Sequence, residues 1–157
     1  MAQSDVSFLL KSEQQTADLA ARLGQVLSPG DAVLLTGGVG AGKTHFARAA
    51  IQSILISAEH VPSPTFTLVQ TYDTTRGPLW HADLYRVSSV HEIEELGLAE
   101  AFETAICLIE WPDRLGDLRP ENALDITLSD GPTADARTMA AQGPSRIWKE
   151  RLNGWHL

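Results

Sequence analysis

Eight residues, Gly37-Gly38-Val39-Gly40-Ala41-Gly42-Lys43-Thr44, constrain this chain more than any other stretch. They match G-x-x-x-x-G-K-[ST], the Walker A pattern. The apolar run before them, Asp31 to Thr36, predicts a short buried strand, and His45 to about Ser57 predicts a helix. At such a strand-to-helix junction the glycines fold the backbone tightly, with no Cβ in the way of a phosphate. Their N–H groups and the positive end of the helix then form an anion nest. Lys43 is placed to reach the β- and γ-phosphates, and the Thr44 hydroxyl to ligate Mg²⁺. Val39, Gly40, Ala41, Gly42, Lys43 and Thr44 are therefore the candidate nucleotide-binding loop. The alternative is a glycine-rich turn that only joins a strand to a helix.

A length of 157 residues predicts one domain, with a core large enough for a sheet of several strands. The formal net charge is −8, and a protein that grips nucleic acid by its phosphates usually has a basic face. Strong independent binding to RNA or DNA is therefore not expected. No basic n-region with an apolar stretch opens the chain, and no apolar run reaches membrane-spanning length. A cytoplasmic protein without membrane contact is the expectation. The lone cysteine, Cys107, lies in an apolar run and reads as a core residue. The five histidines show no metal-ligand spacing.

Val6 to Leu10 predicts a first strand near a sheet edge. Ser12 and Gln15 fit a capping box that opens a helix reaching about Leu27. After the second helix, Glu59 to Phe66 reads as a loop stiffened by Pro62 and Pro64. Thr65 puts a hydroxyl on it, where nucleotide-dependent switches hold a threonine to the γ-phosphate and Mg²⁺; a rigid surface connection is the other reading. Thr67–Tyr72 and Leu79–Tyr85 predict an antiparallel hairpin turning through 74–78. Asp83 sits near the end of its strand in a largely apolar run. An inward carboxylate there needs a cation, a metal or a donor; a surface pair with Arg86 is the alternative.

Ser88 to Leu96 predicts a capped acidic helix, and Gly97 interrupts it before Leu98–Glu103. Ala105 to Ile109 then reads as a fully buried strand closed by Glu110. An apolar strand ending in a carboxylate has the form of a Walker B element, which holds Mg²⁺ directly or through water. Trp111 either lines the site or packs in the core. Residues 113–122 read as loop. Residues 123–128 and 135–141 pair across a turn at 130–132, and from Pro144 a short helix puts Ile147, Trp148 and Leu152 on its apolar side.

Four motifs in this order make the chain resemble the TsaE (YjeE) family over nearly its whole length. They are the phosphate loop, Ser63-Pro64-Thr65-Phe66-Thr67-Leu68, His81-Ala82-Asp83-Leu84-Tyr85-Arg86 and Ile109-Glu110-Trp111-Pro112. The resemblance implies an α/β P-loop NTPase-type three-layer fold with a mixed sheet flanked by helices. It implies a cytoplasmic ATPase of tRNA threonylcarbamoyladenosine biosynthesis. Such an ATPase works with the TsaB and TsaD proteins on adenosine 37, and reaches tRNA through that complex. Residue by residue, it puts Lys43 on the phosphates, Thr44 and Glu110 on Mg²⁺, and Asp83 at the hydrolytic step. Thr65 becomes the switch hydroxyl, Trp111 a neighbour of the nucleotide, and Glu13 to Thr16 neighbours of the adenine. Two departures stand out. Gly38 replaces a usual acidic residue, and Ala134 occupies a usual arginine position, which leaves open whether Arg137 substitutes.

The expected chemistry is Mg-dependent ATP hydrolysis by in-line attack of water, slow without a partner because no arginine stands out as a finger supplied by the chain itself. A small-molecule kinase and a nucleotide-gated interaction module use the same loop and remain alternatives. No N-K-x-D motif is present to favour a GTPase.

Overall fold

A computed structural model describes residues 4–38, 40–143 and 146–155. Val39, in the phosphate loop, and Pro144, at the start of the tail, lie outside the described residues. Seven strands form one mixed sheet: β1 Ser4–Leu10, β2 Ala32–Thr36, β3 Val69–Thr74, β4 Gly77–Asp83, β5 Ile106–Glu110, β6 Leu124–Asp130 and β7 Arg137–Gly143. Their spatial order is β1-β7-β6-β2-β5-β4-β3. The centre, from β6 through β2 and β5 to β4, is parallel. On one side β7 pairs antiparallel with both β6 and β1, and on the other β3 pairs antiparallel with β4. β1 is an edge strand, as its sequence predicts.

Helices α1 Glu13–Gly24, α2 Lys43–Gln52 and α5 Arg146–Arg151 cover one face. Leu19, Leu23, Phe46, Ile51 and Trp148 pack there against Val33, Leu35, Leu79 and Leu108. Helices α3 Val90–Glu95 and α4 Leu98–Thr104 cover the other face. Ile93, Leu98 and Ala101 meet Leu34, Ala82, Cys107 and Ile109 there. The period-two alternation of β5 therefore feeds both cores, which is why the strand reads as continuously apolar. The result is the expected three-layer mixed α/β fold of the P-loop NTPase type.

Several boundaries differ from the sequence reading, each for a local reason. α1 stops at Gly24 rather than Leu27. A Cβ on Gly24 would stand 2.6 Å from Ser53 Oγ and 2.7 Å from Ala50 O, so only glycine lets α1 approach the end of α2 this closely here. α2 ends at Gln52, where Ser53 turns its hydroxyl back onto Ala50 O and onto Ala21 O of α1. The hairpin is shifted by two residues because the Pro64–Leu68 turn, closed by Leu68 N–H donating to Pro64 O at 2.7 Å, uses up Thr67 and Leu68. Residues 112–118 form a kinked 3-10 helix rather than loop, begun by Pro112, whose fixed φ suits a first helical position. Ile147 is 51% exposed, whereas Trp148 and Leu152 are buried, so the apolar side of α5 is narrower than its sequence suggests.

The capping box forms with one change. Ser12 Oγ accepts from Gln15 N at 3.1 Å, but the Gln15 side chain accepts from Lys11 N rather than from Ser12 N.

Candidate nucleotide-binding site

The parallel centre of the sheet brings the carboxyl ends of β2, β4 and β5 to one edge, the usual place for a ligand in such sheets. A cleft of about 430 Å³ lies there, lined by Glu13, Gly40, Gly42, Lys43, Thr44, His45, Thr65, Asp83, Tyr85, Glu110, Trp111 and Arg137. That volume is within the range of small-molecule and cofactor sites, about 300–1,000 Å³.

The floor is the loop from β2 into α2. Gly42 caps α2 in a left-handed conformation, φ 100°, with no side-chain cap. The first N–H groups of a helix have no intrahelical partner, so they are free for an anion. Gly37 is required for space, since a Cβ there would lie 2.6 Å from Leu128 O. Lys43 Nζ donates to Gly37 O at 2.6 Å and Gly38 O at 2.8 Å, curling back over its own loop, and lies 4.4 Å from the centre of the Trp111 ring. Burial holds the Lys43 ammonium below the usual lysine range, against the opposing pull of Glu110 and Asp83.

Asp83 and Glu110 end adjacent parallel strands and are paired in register. Both are buried. Asp83 Oδ1 accepts from Tyr85 N at 3.0 Å, and Oδ2 from the Thr65 hydroxyl at 3.1 Å. The alternative pairing with Arg86 is not the one formed: the Arg86 guanidinium stacks 4.5 Å over the Phe66 ring. Glu110 Oε1 accepts from the Thr44 hydroxyl at 2.8 Å, and Oε2 lies 2.7 Å from His81 Nε2. Thr44 Oγ1 and Glu110 Oε1 are hard oxygen donors side by side at the cleft. They fit Mg²⁺, which binds one or two protein oxygens and takes the rest from phosphates and water. Among the described residues no group of three or more His, Cys, Asp or Glu could hold a metal ion.

The structure brings Lys43, Thr44, Thr65, Asp83, Glu110, Trp111, Gly40, Gly42 and Glu13 around one cleft. Ala41 is buried in the loop beneath it. Thr16 is elsewhere: it is buried in α1, its hydroxyl donating to Ser12 O at 3.3 Å. Beside Glu13 stands His45, whose Nε2 is 3.0 Å from Glu13 O.

Two residues at the site have no role in the sequence reading, although His81 opens the His81–Arg86 motif and Arg137 follows Ala134. His81 is a single histidine in an apolar strand. Arg137 is distant in sequence, at the start of β7. Its Nε donates to Ala41 O at 3.1 Å, Nη2 to Gly40 O at 3.2 Å, and Nη1 to Ala134 O and Ala136 O, each at 2.8 Å. Ala134 thus contributes a carbonyl, and Arg137 ties β7 to the carbonyls of the phosphate loop.

A sequence profile of the family described as "Threonylcarbamoyl adenosine biosynthesis protein TsaE" matches residues 10–139. The protein called "tRNA threonylcarbamoyladenosine biosynthesis protein TsaE" of Rickettsia felis is 42% identical over 120 residues, covering 76% of this chain and 70% of that protein. The protein of the same name from Bacillus subtilis is 35% identical over 116 residues, covering 73% and 72%. The crystal structure of YdiB from Bacillus subtilis superposes with a TM-score of 0.78 at 22% identity, covering 99% of this chain and 96% of that one. At that identity the likeness speaks for the fold.

Proposed function

From the premise that this chain belongs to the TsaE family, we propose that it binds ATP with Mg²⁺, hydrolyses it, and acts with TsaB and TsaD in forming threonylcarbamoyladenosine at position 37 of tRNA. The observation that carries the reading is the convergence of Lys43, Thr44, Asp83 and Glu110 on one cleft at the mouth of the phosphate loop. In this reading residues 1–157 act as one ATPase domain, since residues from Glu13 to Arg137 line that single cleft.

The loop N–H groups and the start of α2 receive the β-phosphate, and Lys43 moves from the carbonyls of Gly37 and Gly38 onto the phosphate oxygens. Thr44 and Glu110 would hold the metal, which would supply neutralisation of the charge developing on the phosphate oxygens. Thr65 gives up its bond to Asp83 Oδ2 when its hydroxyl turns to the γ-phosphate. Asp83, still held through Oδ1 by Tyr85 N–H, then orients the attacking water and accepts its proton. Arg137 is spent on four backbone carbonyls and is not free to stabilise the transferring phosphoryl group. Turnover by the chain alone is therefore slow, and a partner completes the site.

A gating role for the nucleotide is favoured by one observation. Phe66, next to Thr65, is 80% exposed, so a change at the γ-phosphate moves an apolar surface group.

The test is ATP turnover by the chain alone, then with TsaB and TsaD, then with tRNA added. Slow basal turnover that rises with the partners supports the reading. Turnover that ignores them and needs an added small acceptor would instead identify a kinase.

A further inference from the structure

His81 is fully buried on β4, on the same sheet face as Asp83 two residues later. Directly across on β5 lies Leu108, and Glu110 is two residues further along, opposite Asp83. The imidazole therefore reaches diagonally along the strand pair to Glu110 Oε2, 2.7 Å from its Nε2. With the Glu110 carboxylate as acceptor, the pair is assigned with Nε2–H as donor. The other ring nitrogen, Nδ1, has no partner among the described residues.

Burying an imidazole with one nitrogen unpaired is costly, and an apolar side chain of similar size would fill the same space without that cost. The single polar act of this ring is to hold one oxygen of Glu110. Its effect is geometric. With Oε2 tied to His81, the carboxylate cannot rotate, and Oε1 is presented to Thr44 at the cleft. Oε1 keeps a second lone pair after accepting from Thr44, and the Thr44 oxygen keeps lone pairs of its own.

Building on the nucleotide-binding reading above, we propose that His81 is a positioning residue. Its Nε2–H locks the Glu110 carboxylate so that Glu110 and Thr44 form a pre-set pair for the divalent cation that accompanies the nucleotide. The same logic governs metal sites in which an outer hydrogen bond fixes a ligand's orientation, where its loss weakens metal affinity about 10–100-fold.

The experiment measures ADP affinity by calorimetry with Mg²⁺ absent and over a range of Mg²⁺ concentrations. It compares the unaltered protein with His81→Leu and His81→Gln. Leucine keeps bulk and removes the donor; glutamine places an amide N–H near the position of Nε2. His81→Leu is expected to keep its metal-free ADP affinity but to require about 10–100-fold more Mg²⁺ for the metal-dependent gain. His81→Gln is expected to recover most of the gain. An unchanged Mg²⁺ requirement in His81→Leu overturns the assignment. So does an equal loss of ADP affinity with and without Mg²⁺ that glutamine fails to restore, because that pattern marks a purely structural pair.

Should His81→Leu not fold, the unaltered protein labelled with ¹⁵N-histidine gives the answer. The His81 Nε2–H resonance should move when Mg²⁺ is added to the ADP complex, and a resonance that stays fixed overturns the proposal. Failure of the unaltered protein to bind ADP with or without Mg²⁺ would refute the nucleotide-binding reading itself, and ADP binding without any Mg²⁺ effect would refute the cation pair and the His81 proposal with it. A normal Mg²⁺ effect that His81 variants leave untouched refutes only the role of His81.

Discussion

Replacing Arg137 by alanine removes two hydrogen bonds that hold the phosphate loop, to Gly40 O at 3.2 Å and Ala41 O at 3.1 Å. With those carbonyls drawn toward β7, the loop is held in shape before any phosphate arrives. A net value of about 1 kcal/mol per bond suits a partly exposed donor, so the pair contributes roughly 2 kcal/mol of preorganisation. Released, the loop has to be ordered by the nucleotide, and that cost appears as a Kd weaker by up to roughly 30-fold. The assay is calorimetric titration with ADP, with and without Mg²⁺. Because Arg137 acts on the loop and not on the metal, the loss should be the same in both conditions. Arg137→Lys should recover only part of it, since an ammonium is a point donor and cannot reach four carbonyls as a planar fork does. The other two bonds, to Ala134 O and Ala136 O, close the turn between β6 and β7, so a fall of a few degrees in Tm should accompany the affinity loss. A Kd within about threefold of the unaltered protein, less than about 0.7 kcal/mol, would show that the loop holds its shape without the clamp.

Three further outcomes follow from the same geometry. Asp83→Asn preserves the shape of the side chain and its bond from Tyr85 N–H, so nucleotide affinity should hold within a few-fold while turnover falls about 10²–10⁴-fold; unimpaired single-turnover hydrolysis would remove Asp83 from the proton-accepting role. Lys43 has a pKa depressed below 10.5, so between its folded value and 10.5 the unfolded chain binds the extra proton. Its burial therefore opposes folding at lower pH, and that penalty fades as pH rises through this window. Phosphate favours the charged form, so ADP binding should take up protons in the alkaline range and weaken there before pH 10.5; calorimetry in buffers of different ionisation heat would detect this, and uptake absent throughout the alkaline range would refute it. Cys107, buried on β5 with its thiol pushed up to about 12, should resist iodoacetamide in mildly alkaline buffer until the protein is unfolded, and rapid labelling of the native state would contradict its place in the core.

The phosphate loop, its strand and its helix could be read from the sequence because their chemistry is contiguous. Spacing alone sets the glycines, Lys43 and Thr44 in order. Asp83 and Glu110 announced themselves as carboxylates closing apolar strands, where an unpartnered charge would be untenable. His81 opens one of the family motifs, but its residue type gives no such signal. An imidazole in an apolar strand is an ordinary core residue by pattern, and its partner is reached only through the parallel register of β4 on β5, which no local rule encodes. Arg137 depends on a still longer relation, because β7 meets the phosphate loop only after the β6–β7 hairpin is laid beside β2. Thr16 is a different case. The family resemblance implies a place near the adenine for Glu13 to Thr16, and of these Glu13 lines the cleft while the turn of α1 carries Thr16 into the core.

The strand order also sets a timetable for the molecule as it is made. Among the described residues β1 pairs with β7 alone, and the two are separated by more than a hundred residues, so β1 emerges from the ribosome long before β7 is there to join it. The residues that complete its pairing include Arg137, which also clamps the phosphate loop. Closure of the sheet edge and maturation of the loop are thus one late event. A nascent chain stalled before β7 has its Lys43 and Thr44 already synthesised but lacks the strand that fixes the loop around them.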